Sequence, residues 1–310
     1  MFQLILSALV PVAVVILLGY FAGRSKIINS DGAKVLSTVV VNFALPCALF
    51  VAIFGFSPSQ FENIPYVLTL LVGITLPFFL AFFLALLIWK KPAGEAALFG
   101  SNSGFPDMAY FGLPVVLTVV GQQGMLPIIV GNIITSIIII PVVMAMLHKG
   151  QASGSSSSVS SILLSTIKQP VVWAPLLGLC LVLLGVKLPS LAIDSLKLLG
   201  NIAGGLALFT LGILLSFLTP RIDKPVVVVV FMKNLVMPAL VLALALVFKL
   251  DGNLAKGAII IAACPAATMG AMLSSQFGVA QDKIPAQILA SNVAAIVTMA
   301  MWIFIAEKLF

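Results

Sequence analysis

Charged side chains are scarce in this sequence. They make up 8% of its 310 residues, where soluble domains usually carry about 25%. Hydrophobic residues make up 62%, and the mean hydropathy is +1.25. Too few polar groups remain to coat a water-facing globule, so the solvent this surface fits is lipid. There is one histidine, His148, and there are three cysteines, Cys47, Cys180 and Cys264, none in CxxC spacing. That excludes a disulfide framework and a zinc site, and no metal is expected. No GxxxxGK[ST] run is present, so the chain does not drive transport with ATP by itself. No histidine lies within an apolar run and Asp107 is the one clear acid inside one, so neither a hydrolytic triad nor a pair of membrane aspartates can form. We expect no enzyme and no cofactor. The net charge of +7 is spread singly or in pairs between apolar runs, which fits membrane loops rather than nucleic-acid binding. No basic stretch precedes the first apolar run, which reads as a retained span.

Ten windows reach the roughly 20 apolar residues a spanning helix needs. They are about Leu4–Ala22, Val35–Phe56, Tyr66–Trp89, Glu95–Val120, Met125–Leu147, Gln169–Val186, Leu196–Phe217, Pro225–Phe248, Leu254–Phe277 and Ile284–Ala306. Ten basic residues (Arg24, Lys26, Lys34, Lys90, Lys91, Lys149, Lys168, Arg221, Lys224 and Lys283) follow odd-numbered spans. Five (Lys187, Lys197, Lys249, Lys256 and Lys308) fall on the other side, and Lys233 lies inside span eight. The richer side is predicted to be cytoplasmic, with both termini on the outer, periplasmic side. The Gly/Ser stretch 150–161 reads as a flexible cytoplasmic linker. It separates residues 1–149 from 162–310, five spans each.

The chain resembles itself at a displacement of 159. Pro11 meets Pro170, Gly19 meets Gly178, Asn42 meets Asn201, Lys90 meets Lys249, Pro106 meets Pro265 and Gln122 meets Gln281. Because each half has an odd number of spans, the second enters the membrane inverted, the common plan of secondary carriers. The expected fold is therefore all-α, with ten transmembrane helices in two inverted five-helix repeats.

Span four carries Gly100–Pro114 and span nine carries Ala262–Gly270, with Pro106 and Pro265 at equivalent places. Proline removes a helical N–H and clashes with the preceding turn. Backbone freed at membrane depth is tolerated only beside protein or a water-lined cavity, where a half-helix N-terminus suits a carboxylate. Asp107 follows Pro106 directly. It caps the second half-helix, binds substrate, or carries a coupling proton. Lys233 either snorkels to the cytoplasmic edge or serves as charge partner to Asp107 or to an anionic substrate. Asn42 and Asn201 sit in spans two and seven, and Asn132 and Asn292 in spans five and ten, as interhelical hydrogen-bonding groups or site residues. Pro46 should kink span two. His148 reads as a solvated loop residue.

Phe105-Pro106-Asp107 leading to Gly112-Leu113-Pro114 resembles the Pro-Asn and Gly-Ile/Leu-Pro pattern of the auxin efflux carrier family, which includes plant PIN-FORMED proteins and bacterial malonate and malate carriers. Pro265-Ala266-Ala267 leading to Phe277-Gly278, Ala207-Leu208-Phe209-Thr210-Leu211-Gly212, and Lys233 are similar to further family landmarks, over essentially the whole chain. The resemblance implies spans four and nine crossing at their prolines with substrate at the crossing, an elevator-like mechanism and a homodimer. It places Asn102, Ser103, Pro106, Asp107 and Tyr110 on one side of the site, and Pro265, Ala266 and Thr268 on the other. Asp107 stands where the family has asparagine; aspartate titrates, so this departure favours proton linkage. Gln169-Pro170 replaces the family's Asn-Pro. The short linker, in place of the plant members' long central loop, points to a bacterial inner membrane. The expected function is secondary transport of a small carboxylate, coupled to H+ rather than Na+. The alternatives are a sodium-coupled symporter of the bile-acid type, a membrane sensor that transports nothing, and a channel.

Overall fold

The computed structural model describes residues 2–54, 63–112, 115–116, 119–121, 125–151, 164, 167–217 and 222–310. Gln122, Pro114, Arg221 and nearly all of the expected linker lie outside them. The described secondary structure is helical, apart from one antiparallel bridge between Pro106 and Ala266. Seven long helices are α1 (Phe2–Arg24), α2 (Ser30–Phe54), α3 (Ile64–Ile88), α5 (Leu126–Gly150), α7 (Ser190–Phe217), α8 (Lys224–Val247) and α11 (Ile284–Leu309). Four are short: α4 (Ala93–Gly104), α6 (Pro170–Leu183), α9 (Gly252–Ala263) and α10 (Met269–Phe277). Among the described residues, six helices (α2, α3, α5, α7, α8 and α11) are long and apolar enough to cross a membrane.

Local chemistry sets the helix starts. The Asn29, Asn63 and Asp223 side chains accept the N–H groups of Gly32, Tyr66 and Val226, three residues on, which satisfies donors the helix leaves free. Capping explains where the hydropathy windows began late. α2 starts at Ser30 because Asn29 caps it, and α7 starts at Ser190 behind Pro189. Lys34 and Lys197 are therefore helical rather than loop residues, and Lys197 pairs with Asp194 at 3.2 Å.

Of five described widened, π-helical turns, Leu84–Ile88 stands apart and four precede prolines by the same margin. They are Val40–Ala44 before Pro46, Met108–Gly112 before Pro114, Thr135–Ile139 before Pro141, and Met232–Val236 before Pro238. A proline ring collides with the carbonyl one turn back and offers it no N–H. Inserting a residue in that turn relieves the clash and leaves a carbonyl for other donors. The kink expected at Pro46 takes this form.

The displacement of 159 recurs in backbone geometry. α4 and α9 are both twelve residues long and lie 159 apart. Of seven described residues with positive φ, six pair at that spacing: Lys26 (60°) with Gly185 (67°), Lys90 (50°) with Lys249 (51°), and Gly121 (75°) with Ala280 (48°). Left-handed backbone is uncommon for any residue with a Cβ, so a lysine at the same φ in each half marks the same chain turn.

The core is built on the short helices. α4 is buried from Ala96 to Gly104, α9 from Gly257 to Ala263 and α10 from Met269 to Ser275. The outer helices expose large apolar side chains instead: Leu17, Leu18 and Phe21 on α1, Leu80, Phe83 and Leu87 on α3, and Val293, Val297 and Phe304 on α11. That distribution suits lipid contact. α1 and α7 approach backbone to backbone. A Cβ on Gly19 would collide with the Phe209 carbonyl, and one on Gly212 with the Ile16 carbonyl.

Candidate functional site

α4 ends at Gly104, and Phe105 leaves it in extended conformation (φ −116°, ψ 97°). α9 ends at Ala263, and Cys264 does the same (φ −57°, ψ 149°). Pro106 and Pro265 forbid continuation of either helix. The two extended segments cross and satisfy each other. The Asp107 N–H donates to the Pro265 carbonyl at 2.8 Å, and the Ala267 N–H donates to the Phe105 carbonyl at 2.9 Å. Polar backbone buried without partners costs a few kcal/mol per group, so each break stabilises the other. The exchange follows a local twofold, as expected of two equivalent segments meeting head to tail.

Side chains from α8 and α11 hold the crossing from behind. The Ala266 N–H donates to Ser291 Oγ at 3.0 Å, and that hydroxyl donates to Asn234 Oδ1 at 2.7 Å. Asn234 Nδ2 returns a bond to the Ser291 carbonyl at 3.0 Å. The Trp302 indole N–H bonds the carbonyl of Asn234, the third residue of the widened turn of α8, at 2.9 Å. Lys233, from the same turn, is fully buried. Its ammonium donates to the carbonyls of Ala262 and Cys264 at 2.8 and 2.6 Å. It thus caps the negative end of α9, where a cation is favoured. Asp107 is within electrostatic reach of it.

In front of the crossing lies a cavity of about 100 Å3, lined by the break (Phe105 to Met108), α2 (Val40, Leu45, Ala48), Asn132 of α5, Ala203 and Ala207 of α7, and Ala267 to Met269 with Met272. A water needs about 10–15 Å3 by this measure, so a small carboxylate fits. Polar side chains are few: Asp107, Asn132 and Thr268, each less than one-tenth exposed. A mostly apolar hollow with a few placed polar groups is the usual form of a small-ligand site. Thr268 and Met269 open α10, so the start of this helix, which no side chain caps, lies at the cavity wall.

The structure thus brings Pro106, Asp107 and Thr268 to one cavity, while Pro265 and Ala266 form the hydrogen-bonded frame behind it. Asn102 faces elsewhere: its Nδ2 donates to Gln287 Oε1 at 2.8 Å, tying α4 to α11. Ser103 is fully buried in α4 and does not line the cavity. Asn42 borders an outward-facing apolar groove with Pro46, Phe50 and Trp173. Asn201 is exposed at a turn within α7. The backbone of Tyr110 lies in the widened turn after the break; its side chain is not among those described. Lys233 does not snorkel, because carbonyls at the crossing supply its partners. His148 is no solvated loop residue. It ends α5, bonds the Met144 carbonyl at 2.7 Å and Gln169 at 3.1 Å, and stacks edge-on against Phe277. Sequence reasoning missed Met272, Asn234 and Ser291 as supports of the site. Their weak signal was a polar pair inside otherwise apolar spans.

The sequence profile of the family described as "Membrane transport protein" matches residues 4–303. The chain is 30% identical to "Uncharacterized transporter YfdV" of Escherichia coli K12, covering 99% of both chains. It is 24% identical to a Rhizobium meliloti protein named "Putative malonate transporter", over 95% of this chain and 93% of that one. It is 25% identical to "Uncharacterized transporter MJ1031" of Methanocaldococcus jannaschii, over 94% and 95%. Apolar helices of spanning length, a buried crossing of two broken helices and a profile match along nearly the whole chain agree: this is a multi-pass membrane protein, not an enzyme, and it belongs to the membrane transport protein family of auxin efflux carriers.

Proposed function

We propose that the chain is a secondary transporter that carries a small carboxylate across the bacterial inner membrane by alternating access. The observation that carries this reading is the reciprocal backbone pairing of Asp107 with Pro265 and of Ala267 with Phe105 beside a small, mostly apolar cavity. A site built on a crossing of two broken helices can face either side in turn when the unit bearing it moves against its neighbours. Ten spans in two inverted repeats, residues 1–149 and 162–310, accommodate the helices. α4 with the following turn makes span four, α9 with α10 makes span nine, and the matched left-handed turns support equivalence of the halves. Cavity residues on α2 and α7 belong to a static scaffold, and the crossing belongs to the moving unit. Two scaffolds pair in a homodimer.

Asp107 sets the coupling. An anion and an ionised carboxylate cannot share so small and dry a cavity without strong repulsion. A proton on Asp107 removes that repulsion and adds a donor, so proton and carboxylate binding favour one another. The outcome is symport. The first-turn N–H groups of α10 face the substrate's negative charge. Lys233, holding the end of α9, keeps the site's net charge near neutral when Asp107 is ionised. The name of the Rhizobium meliloti relative makes malonate the first substrate to try. Purified protein in liposomes preloaded with unlabelled malonate should accumulate labelled malonate transiently by exchange. Equal filling of protein-free liposomes and proteoliposomes argues against a carrier of this anion.

A further inference from the structure

We propose a second anion subsite at the end of α2, a vestibule through which carboxylates reach the central cavity from the side that bears Lys34. This deepens the transport reading and rests on it. A separate pocket of about 200 Å3 is lined by Ser30, Asp31, Lys34, Leu214, Phe217, Ser275 and Gln281. Five of these seven residues are polar, the reverse of the central cavity, so a hydrated ion can enter before it is stripped of water. The Ser275 hydroxyl is buried without a hydrogen-bond partner among the described residues. An unsatisfied buried hydroxyl costs about 1–3 kcal/mol, and a ligand oxygen would relieve it.

The three helices that line this pocket also line the central cavity. On α10, Met269 and Met272 border the cavity and Ser275 the vestibule, each one turn apart, about 4.5 Å of rise. On α7, Ala203 and Ala207 border the cavity and Leu214 the vestibule, seven residues or two turns further on. On α2, Val40 borders the cavity and Lys34 the vestibule. Between these positions lie Ser37 on α2 and Thr210 on α7, and both hydroxyls are tied to their own helices. The vestibule therefore lies on the seam along which the crossing must slide.

Charge decides the ligand class. Asp31 sits in the first turn of α2, where the positive helix end offsets a carboxylate. The Lys34 ammonium, about one turn away and without an ion-pair partner among the described residues, is left to attract an anion. Gln281, whose Nε2 donates to the Ser275 carbonyl at 3.5 Å, has a second amide hydrogen to offer a ligand.

The test is protection of Gln281→Cys from a membrane-impermeant maleimide by malonate, read as labelling at position 281 in the full chain in liposomes. Malonate should slow labelling. In Lys34→Gln the malonate concentration for half-protection should rise about fivefold, the size of a partly exposed ionic contact, and Lys34→Arg should restore it. Protection should survive in Asp107→Asn, which alters only the central cavity. No protection, or protection that ignores Lys34→Gln, overturns the proposal. Loss of protection in Asp107→Asn also overturns it, by showing that the block is transmitted from the central cavity. Lys34-dependent protection in protein that shows no malonate exchange would uphold the subsite and refute the transport reading.

Discussion

Lys233 shows how much a single buried side chain can depend on partners far away in sequence. Its ammonium reaches two carbonyls of a helix that begins nineteen positions later, and only the crossing brings them into range. Replacing it with Met keeps the length and removes both bonds. Each hydrogen bond from a charged group contributes about 1.5–3 kcal/mol, so we predict a loss of about 2–4 kcal/mol in stability. Thermal unfolding in detergent would measure it, and a Tm equal to wild type would show that the cap contributes nothing. The lysine itself was conspicuous in the sequence because charge is rare inside a span. Its partners were hidden because backbone carbonyls have no residue signature. Asn132 was visible but underrated: amides are common glue between helices, and only the cavity distinguishes Asn132 from Asn292, which bonds its own helix at Ile288.

Helices and their breaks were more legible than side-chain partners. Hydropathy located the long helices, and two prolines at equivalent places located both breaks, because proline acts on its own backbone whatever surrounds it. The widened turns were not anticipated, although four of the five described lie just before a proline. A proline marks the clash, but whether the chain kinks, breaks or widens depends on which donors can reach the freed carbonyl. Trp302 supplies such a donor to the Asn234 carbonyl in one of these turns. The packing of α1 on α7 was legible only as glycines. Gly212→Val would drive a side chain into the Ile16 carbonyl, and we predict a loss of about 2–3 kcal/mol. Gly205, on the same helix, has open space around it. Gly205→Ala should be neutral or stabilise by up to about 1 kcal/mol through helix propensity. Unfolding of the two variants side by side separates a packing requirement from a general dislike of added bulk.

Symmetry and sidedness govern the protein as a unit. Lys90 and Lys249 adopt the same left-handed conformation 159 residues apart. If the halves are inverted, these two turns sit on opposite faces of the bilayer, although their local structures match. Lys90→Cys should react with an impermeant maleimide only from the cytoplasmic side and Lys249→Cys only from the periplasmic side. Labelling of both from one side would remove the inverted repeat and, with it, the proposed exchange of conformations. Composition foretold the membrane and the repeat foretold the matched turns and breaks, but neither carries the identity of the solute, which rests on three polar side chains in a cavity of about 100 Å3.

The claim that binds these levels together is that Asp107, at the crossing, takes up the proton that accompanies the carboxylate. The most direct measurement is uptake of labelled malonate by proteoliposomes with and without an imposed pH gradient, comparing wild type with Asp107→Asn. The account predicts saturable uptake that the gradient accelerates in wild type, and uptake indifferent to the gradient in the variant, because asparagine keeps the shape and cannot titrate. A variant that responds to the gradient as fully as wild type would contradict it and reduce Asp107 to a cap on the turn that follows Pro106.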